Sequence, residues 1–164
     1  MPPGADGLLA FPHMAGMVCP VADPRAKGVF FGVGLGHGRA HFVRAIMEGV
    51  ACMVREQLEM LLDLGARADA LTCIGGAARS ELWLQIKADM CQRELAVPEC
   101  EEAAGLGTAM ISWVAAGAYP TLQEAKAAMV RPRRRVQPDG AKAGAYDAVY
   151  GRYLKLYRRV KGLF

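Results

Sequence analysis

The sequence predicts an α/β domain in which helices pack on a sheet, and three observations predict it. Apolar residues recur at helical spacing from about residue 38 to residue 64. The apolar run Ala70–Ile74 then ends at the adjacent pair Gly75-Gly76, and a new amphipathic pattern begins near Ser80, which reads as strand, turn and helix. Beyond residue 38 the whole order reads α-β-α-β-α-α-α, an alternation that layers helices against strands.

The elements follow in chain order. Met1–Gly7 lacks any period and is expected to be loose. Leu8–Phe11 and Val29–Val33 are short apolar runs bounded by Pro and Gly, and read as extended segments. Gly32, Gly34 and Gly36 mark a strand end or turn, since the Lys and hydroxyl of a phosphate cradle are missing. In the long helix, Val43, Met47, Val50, Val54, Leu58 and Leu61 are the expected inner stripe. Arg44→Glu48 and Arg55→Glu59 are expected ion pairs on its other face. The small residues Gly49, Ala51 and Cys52 would let another backbone pack close, and Gly65 ends the helix. The next helix runs to Cys91 with Leu82, Trp83, Ile86 and Met90 as its apolar stripe. Glu94–Val97 is a strand ended by Pro98. A helix over about Ala103–Ala116 points Leu106, Met110 and Val114 inward and stops at Gly117. Thr121 caps the following helix, with Glu124 at the capping-box position. Residues Arg131 to Gly140 read as a basic loop, and a last helix from about Ala141 to Val160 aligns Tyr146, Tyr150, Tyr153 and Tyr157.

Composition bounds the function. A chain of 164 residues, 53% hydrophobic, fits one domain over residues 1–164 and buries a real core. No apolar run approaches the ~18 residues of a membrane span. No charged n-region precedes the Gly7–Phe11 run, because the first basic residue is Arg25, so a signal peptide is not expected. Five scattered cysteines without a CxxC pair suit reduced, mostly buried thiols and a cytoplasmic location, and argue against zinc. Charge is uneven: net −5 through residue 124 and +9 from residue 125. Such a tail fits a solvated helix face or contact with an acidic surface better than nucleic acid.

The stretch Cys73 to Asp89 carries the most chemistry. A glycine corner before a helix N-terminus lets backbone N–H groups approach a nucleotide, because glycine has no Cβ in the way. It lacks the G-K-[ST] of a Walker loop and the G-x-G-x-x-G of a dinucleotide fold. On these residues alone, Gly75 and Gly76 are either a binding surface or simply a β–α turn, with Ser80 as N-cap.

Gly75-Gly76-Ala77-Ala78-Arg79-Ser80 with Leu82-Trp83 resembles the adenosine motif of the FGGY carbohydrate kinases, within the actin/Hsp70/sugar-kinase superfamily. Three further segments agree in order: Asp23–Gly32 with D-P-x-A-R-G-x-F-x-G, His37–Ala51 with H-T-R-A-H…L-E-G-I-A, and Glu101–Ala109 with E-E-A-A-A-L-G-A-A. The likeness runs from about Gly7 to Phe164 and is strongest to xylulokinase-type members. It implies part of an actin-like (ribonuclease H-like) lobe: a mixed sheet flanked by helices, with a helical C-terminus. It also implies ATP with Mg²⁺ carried on the nucleotide, and a sugar acceptor such as xylulose or a related ketose or polyol. The implied nucleotide contacts are Gly75, Gly76, Ala77, Arg79 and Ser80, with Ala104 and Gly107 as small residues beside the adenine. Arg79 has a plain solvated reading, and Ala104 and Gly107 a plain helix-packing one.

The family's D-x-G-T phosphate loop and its G-x-x-D-x-x-A segment with the catalytic Asp do not occur in these residues, so no catalytic residue is assigned. The expectation is a domain inactive in isolation; the alternative is a self-associating, non-catalytic module, with a homodimer as a possible partner state. Gly16-Met17-Val18-Cys19-Pro20 stands where the family commonly has G-E-R-x-P, and Ala77 replaces a frequent third glycine. His37 and His41 share helical spacing, but Gly38 and Arg39 follow where a metal motif needs Glu, so capping and packing are expected. Glu99, Glu101 and Glu102 read as helix-start carboxylates rather than an acid–base pair.

Overall fold

The computed structural model describes residues 1–100 and 102–164. Its first strands, β1 (Leu9–Phe11) and β2 (Val29–Phe31), pair antiparallel, with Leu9 opposite Phe31 and Phe11 opposite Val29. Helix α1 (Arg39–Asp63) lies across β1. Strand β3 (Ala70–Thr72) leads through the glycine corner into α2 (Glu81–Cys91). Strand β4 (Glu94–Pro98) runs parallel to β3, with Leu71 opposite Leu95. Helices α3 (Ala103–Ala115) and α4 (Leu122–Met129) pack on each other, and α5 (Ala143–Val160) closes the core.

The expected basic loop contains a strand. Pro132–Val136 forms β5, antiparallel to β4, so the three-stranded sheet β3-β4-β5 is mixed. Pro132 stands first, where the ladder needs no N–H from it. The arginines hide the strand's period but are ordinary for an exposed edge. Arg134 Nη1 donates to Glu81 Oε1 at 2.6 Å, and Arg135 and Gln137 both donate to Glu94.

Closeness rather than hydrophobicity sets the buried face of α1. A Cβ on Gly49 would lie 2.5 Å from the Ala10 carbonyl oxygen on β1. The small residues thus do bring a second backbone in, and Ala45, Gly49, Ala51 and Cys52 are buried with Leu58. Val43 and Leu61, expected inside, are each 49% exposed. The Arg44–Glu48 pair forms at 2.8 Å, but inward: Glu48 is 1% exposed. Its carboxylate also accepts from the Gly4 N–H at 3.0 and 3.1 Å, and Arg44 Nη2 donates to the Tyr146 hydroxyl at 3.1 Å. Burial pushes the Glu48 pKa up, and the Gly4 and Arg44 donors oppose that.

The first residues are not loose. Gly4, Ala5, Asp6 and Gly7 take φ of 90°, 44°, 52° and 95°, a left-handed turn that two non-glycine residues enter only under constraint. Glu48 supplies it at Gly4, Arg152 donates to the Gly7 carbonyl at 2.8 Å, and Ala5 is fully buried.

Helix α2 is buried on two sides rather than along one stripe. Ile86 and Met90 join the main core, while Leu84 and Ala88 pack with Leu95 beneath the sheet; Leu82 is half-exposed. Tyr146, Tyr150 and Tyr153 of α5 are buried against Leu9, Phe11 and Cys52, the expected core role. Tyr157 stacks on Phe11 with ring centroids 5.3 Å apart. Helix α3 has no buried residue; Leu106, Met110 and Val114 are only half-buried. Local signals hold well. Gly65 and Gly117 take positive φ beyond their helices, and the Thr121 hydroxyl accepts from the Glu124 N–H at 3.2 Å. Only Cys52 and Cys91 of the five free cysteines are buried, fewer than expected.

Two predictions follow from this packing. Gly49→Ala forces α1 off the β1 backbone and destabilises the fold by about 3 kcal/mol, measurable by urea unfolding. His13 is buried against Phe11, with Nε2 2.9 Å from the Tyr153 hydroxyl, and burial holds its pKa below the ordinary 6.5. Just below pH 6.5 the unfolded chain therefore binds more protons than the folded one, and stability falls as the pH drops through that window. His13→Asn, whatever its absolute stability, is expected to flatten that part of the pH–stability curve.

Candidate functional site

The β3–α2 corner is built from its backbone outward. The Cys73 N–H extends the β3–β4 ladder, donating to the Ala96 carbonyl at 2.9 Å. Gly75 then turns at φ 75°, ψ −169°, a region open to glycine and strained for other residues. Gly76–Arg79 makes one 3₁₀ turn, closed by the Ala78 N–H on the Gly75 carbonyl at 3.0 Å. Ser80 ends it, and its hydroxyl accepts from the Trp83 N–H at 3.3 Å as the N-cap of α2. No atom lies within 4 Å of where a Cβ would stand on Gly75 or Gly76, so both present bare backbone to open space.

Beside this corner lies a cleft of 490 Å³. It is lined by Cys73 and Gly75, by Ala78 and Arg79 of the turn, and by Val97 of β4 with Arg133 and Arg134 of β5. Among the described residues its lining holds three arginines, Arg79, Arg133 and Arg134, and one carboxylate, Glu81. Of the residues picked out in the sequence, Gly75 and Arg79 line it directly. Gly76, Ala77 and Ser80 belong to the same turn. Ala104 and Gly107 lie on the first turns of α3, outside the cleft lining. The sequence reading missed Arg133 and Arg134, because it took β5 for a loop; the sign it overlooked was a short run led by Pro132 and closed by Val136.

His37 and His41 make local hydrogen bonds at and just before the start of α1. His41 Nδ1 accepts from the Gly38 N–H at 3.0 Å, capping α1, and its Nε2 lies 3.0 Å from Asp6. His37 Nδ1 accepts from the Gly34 N–H at 2.9 Å, and its ring sits 5.2 Å from that of His41. Among the described residues no group of three or more His, Cys, Asp or Glu is placed to hold a metal ion. Glu101 lies outside the described residues, and Glu102 holds the N-cap position of α3 without a side-chain bond to it. Among the described residues no helix is long and apolar enough to cross a membrane.

The family model for the FGGY family of carbohydrate kinases, C-terminal domain, matches residues 2–116. The chain is 31% identical over 163 residues to the xylulose kinase of Bacillus subtilis, covering 99% of the chain and 33% of that protein. It is 30% identical to the gluconokinase of the same organism, over 99% of the chain and 32% of that protein. Among solved structures, the xylulose kinase of Rhodospirillum rubrum superposes with a TM-score of 0.87 at 32% identity, over 99% of this chain and 32% of that one. The chain thus spans about a third of the length of these relatives. The mixed sheet and its flanking helices are accordingly part of the actin-like fold of sugar kinases. The chain belongs to the FGGY family of carbohydrate kinases and carries its C-terminal domain.

Proposed function

We propose that this chain supplies the adenosine side of an ATP-dependent kinase that phosphorylates a hydroxyl of a small sugar or polyol, with xylulose the favoured acceptor. The open Gly75-Gly76 corner at a cleft rimmed by arginines carries this reading. Bare backbone at Gly75 and Gly76 would lie against the ribose and α-phosphate, Arg79 would flank the phosphates, and Ala77 and Ser80 would fix the turn. Ala104 and Gly107 would keep α3 slim beside the adenine. Mg²⁺ would ride on the phosphates of the nucleotide. In phosphoryl transfer, Mg²⁺ and phosphate loops neutralise charge on the γ-phosphoryl group while a carboxylate orients the acceptor hydroxyl. These 164 residues contain no counterpart of the family's catalytic Asp segment. They are therefore assigned binding and no transfer of their own. The xylulose assignment rests on likeness to the xylulose kinases, and the cytoplasmic one on five free thiols.

Titration calorimetry with Mg-ATP is expected to show saturable binding without sugar phosphorylation. Gly76→Val should abolish the binding and change the unfolding temperature little, because a Cβ at this position meets no atom within 4 Å. Gly75→Ala should weaken binding and cost about 1–3 kcal/mol of stability through backbone strain. A folded chain that gives no binding heat, or a Gly76→Val variant that binds as before, would sink the assignment.

A second reading, self-association in place of catalysis, is favoured by α3, where Ile111 is 61% and Trp113 52% exposed. Sedimentation would then show a concentration-dependent dimer that Trp113→Glu dissolves; a monomer at all concentrations rejects it.

A further inference from the structure

Lys87 of α2 is 7% exposed, yet among the described residues its ammonium has no carboxylate partner. Buried ammonium groups are ordinarily paired with an acid. Here Nζ donates to Cys73 Sγ at 3.6 Å and lies 4.6 Å from the centre of the Trp83 ring. The sulfur stands where a carboxylate would, and Cys73 lines the open 490 Å³ cleft. A reagent in the cleft thus meets a thiol whose hydrogen-bond donor is already in place.

We propose that Cys73 and Lys87 form an oxidant-responsive modification site, in which peroxide oxidises the thiol and the lysine amine then closes on it as a sulfenamide. The assignment stands whether or not the cleft holds a nucleotide. In the ammonium–thiolate form of the pair, Cys73 Sγ attacks one oxygen of hydrogen peroxide and the O–O bond breaks. Sulfur gives up two electrons, and the departing hydroxide takes a proton from Lys87, leaving water, a sulfenic acid and a neutral amine. The amine nitrogen then attacks the sulfenic sulfur. An S–N bond forms, the S–O bond breaks, and hydroxide leaves with the amine proton as a second water. One peroxide, one thiol and one amine thus yield one sulfenamide and two waters. The flexible lysine stem can carry Nζ from 3.6 Å to bonding distance by side-chain rotation.

The other four cysteines lack this arrangement. Cys52 and Cys91 are buried, and burial holds both thiols protonated, with the Cys91 pKa pushed up to about 11. Cys100 Sγ has a backbone carbonyl at 3.7 Å, and among the described residues no cation is hydrogen-bonded to Cys100 or Cys19.

The test treats the chain with hydrogen peroxide, traps sulfenic acid with dimedone, and maps products by peptide mass spectrometry. Cys73 is expected to label about tenfold faster than Cys19 and Cys100 in the folded chain, and at their rate in urea. Without dimedone, a Cys73–Lys87 linked peptide lacking two hydrogens should accumulate and revert with dithiothreitol. Lys87→Met should slow Cys73 labelling about tenfold. Lys87→Arg, which keeps a donor but cannot condense in the same way, should label at the native rate and give no linked peptide. Equal labelling of Cys19, Cys73 and Cys100 in the folded native chain overturns the proposal, and so does rapid labelling with no linkage to Lys87.

Discussion

The close approach of α1 to β1 at Gly49 governs the arrangement of the rest. Once the helix backbone sits against the Ala10 carbonyl, the residues beside Gly49 are forced inside whatever their polarity. Glu48 is one of them. A buried carboxylate without partners costs several kcal/mol, so its position dictates what must gather round it. Arg44 comes from the preceding helical turn and the Gly4 N–H from the chain's first residues. Arg44 then reaches the Tyr146 hydroxyl and ties in α5. A single steric fact thus fixes the N-terminal turn, the long helix and the last helix relative to one another.

The same core holds the candidate site from behind. Helix α2 is gripped on both sides, by Ile86 and Met90 in the main cluster and by Leu84 and Ala88 beneath the sheet. The Trp83 indole N–H also donates to the Met47 carbonyl of α1 at 3.2 Å. The start of α2 therefore has little freedom. The corner before it is held at its other end by the Cys73–Ala96 ladder bond. A binding surface made of backbone needs such anchoring, because it has no side chains with which to adapt to a ligand.

What the sequence disclosed follows the range of the interactions involved. Gly65, Gly117 and Thr121 were legible because a helix cap is settled within a few residues. The strand–glycine–helix corner at Gly75-Gly76 was legible because it is equally local. The left-handed turn at Gly4–Gly7 was not, since the carboxylate that holds Gly4 lies 44 positions away. The inner face of α1 was misread for a related reason. Counting apolar residues favoured Val43 and Leu61, whereas backbone proximity selected Ala45, Gly49 and Cys52. Strand β5 escaped because its arginines are edge-strand residues whose acidic partners, Glu81 and Glu94, lie on other elements.

Those ion pairs also account for the uneven charge along the chain. Arg134 pairs with Glu81, Arg135 with Glu94, and Lys142 with Asp139 and Asp89, so part of the basic C-terminal segment is matched to the acidic part before it. Glu94 is held below the usual carboxylate range by Arg135 and Gln137, so it stays ionised opposite the strand it pairs with. Exposed pairs of this kind add little to stability, but they fix which arginines face which way. Glu81 draws Arg134 to the mouth of the cleft, and Arg79 and Arg133 face the same space. Burial of Tyr146, Tyr150 and Tyr153 in the core leaves those rings no free face on which bases could stack.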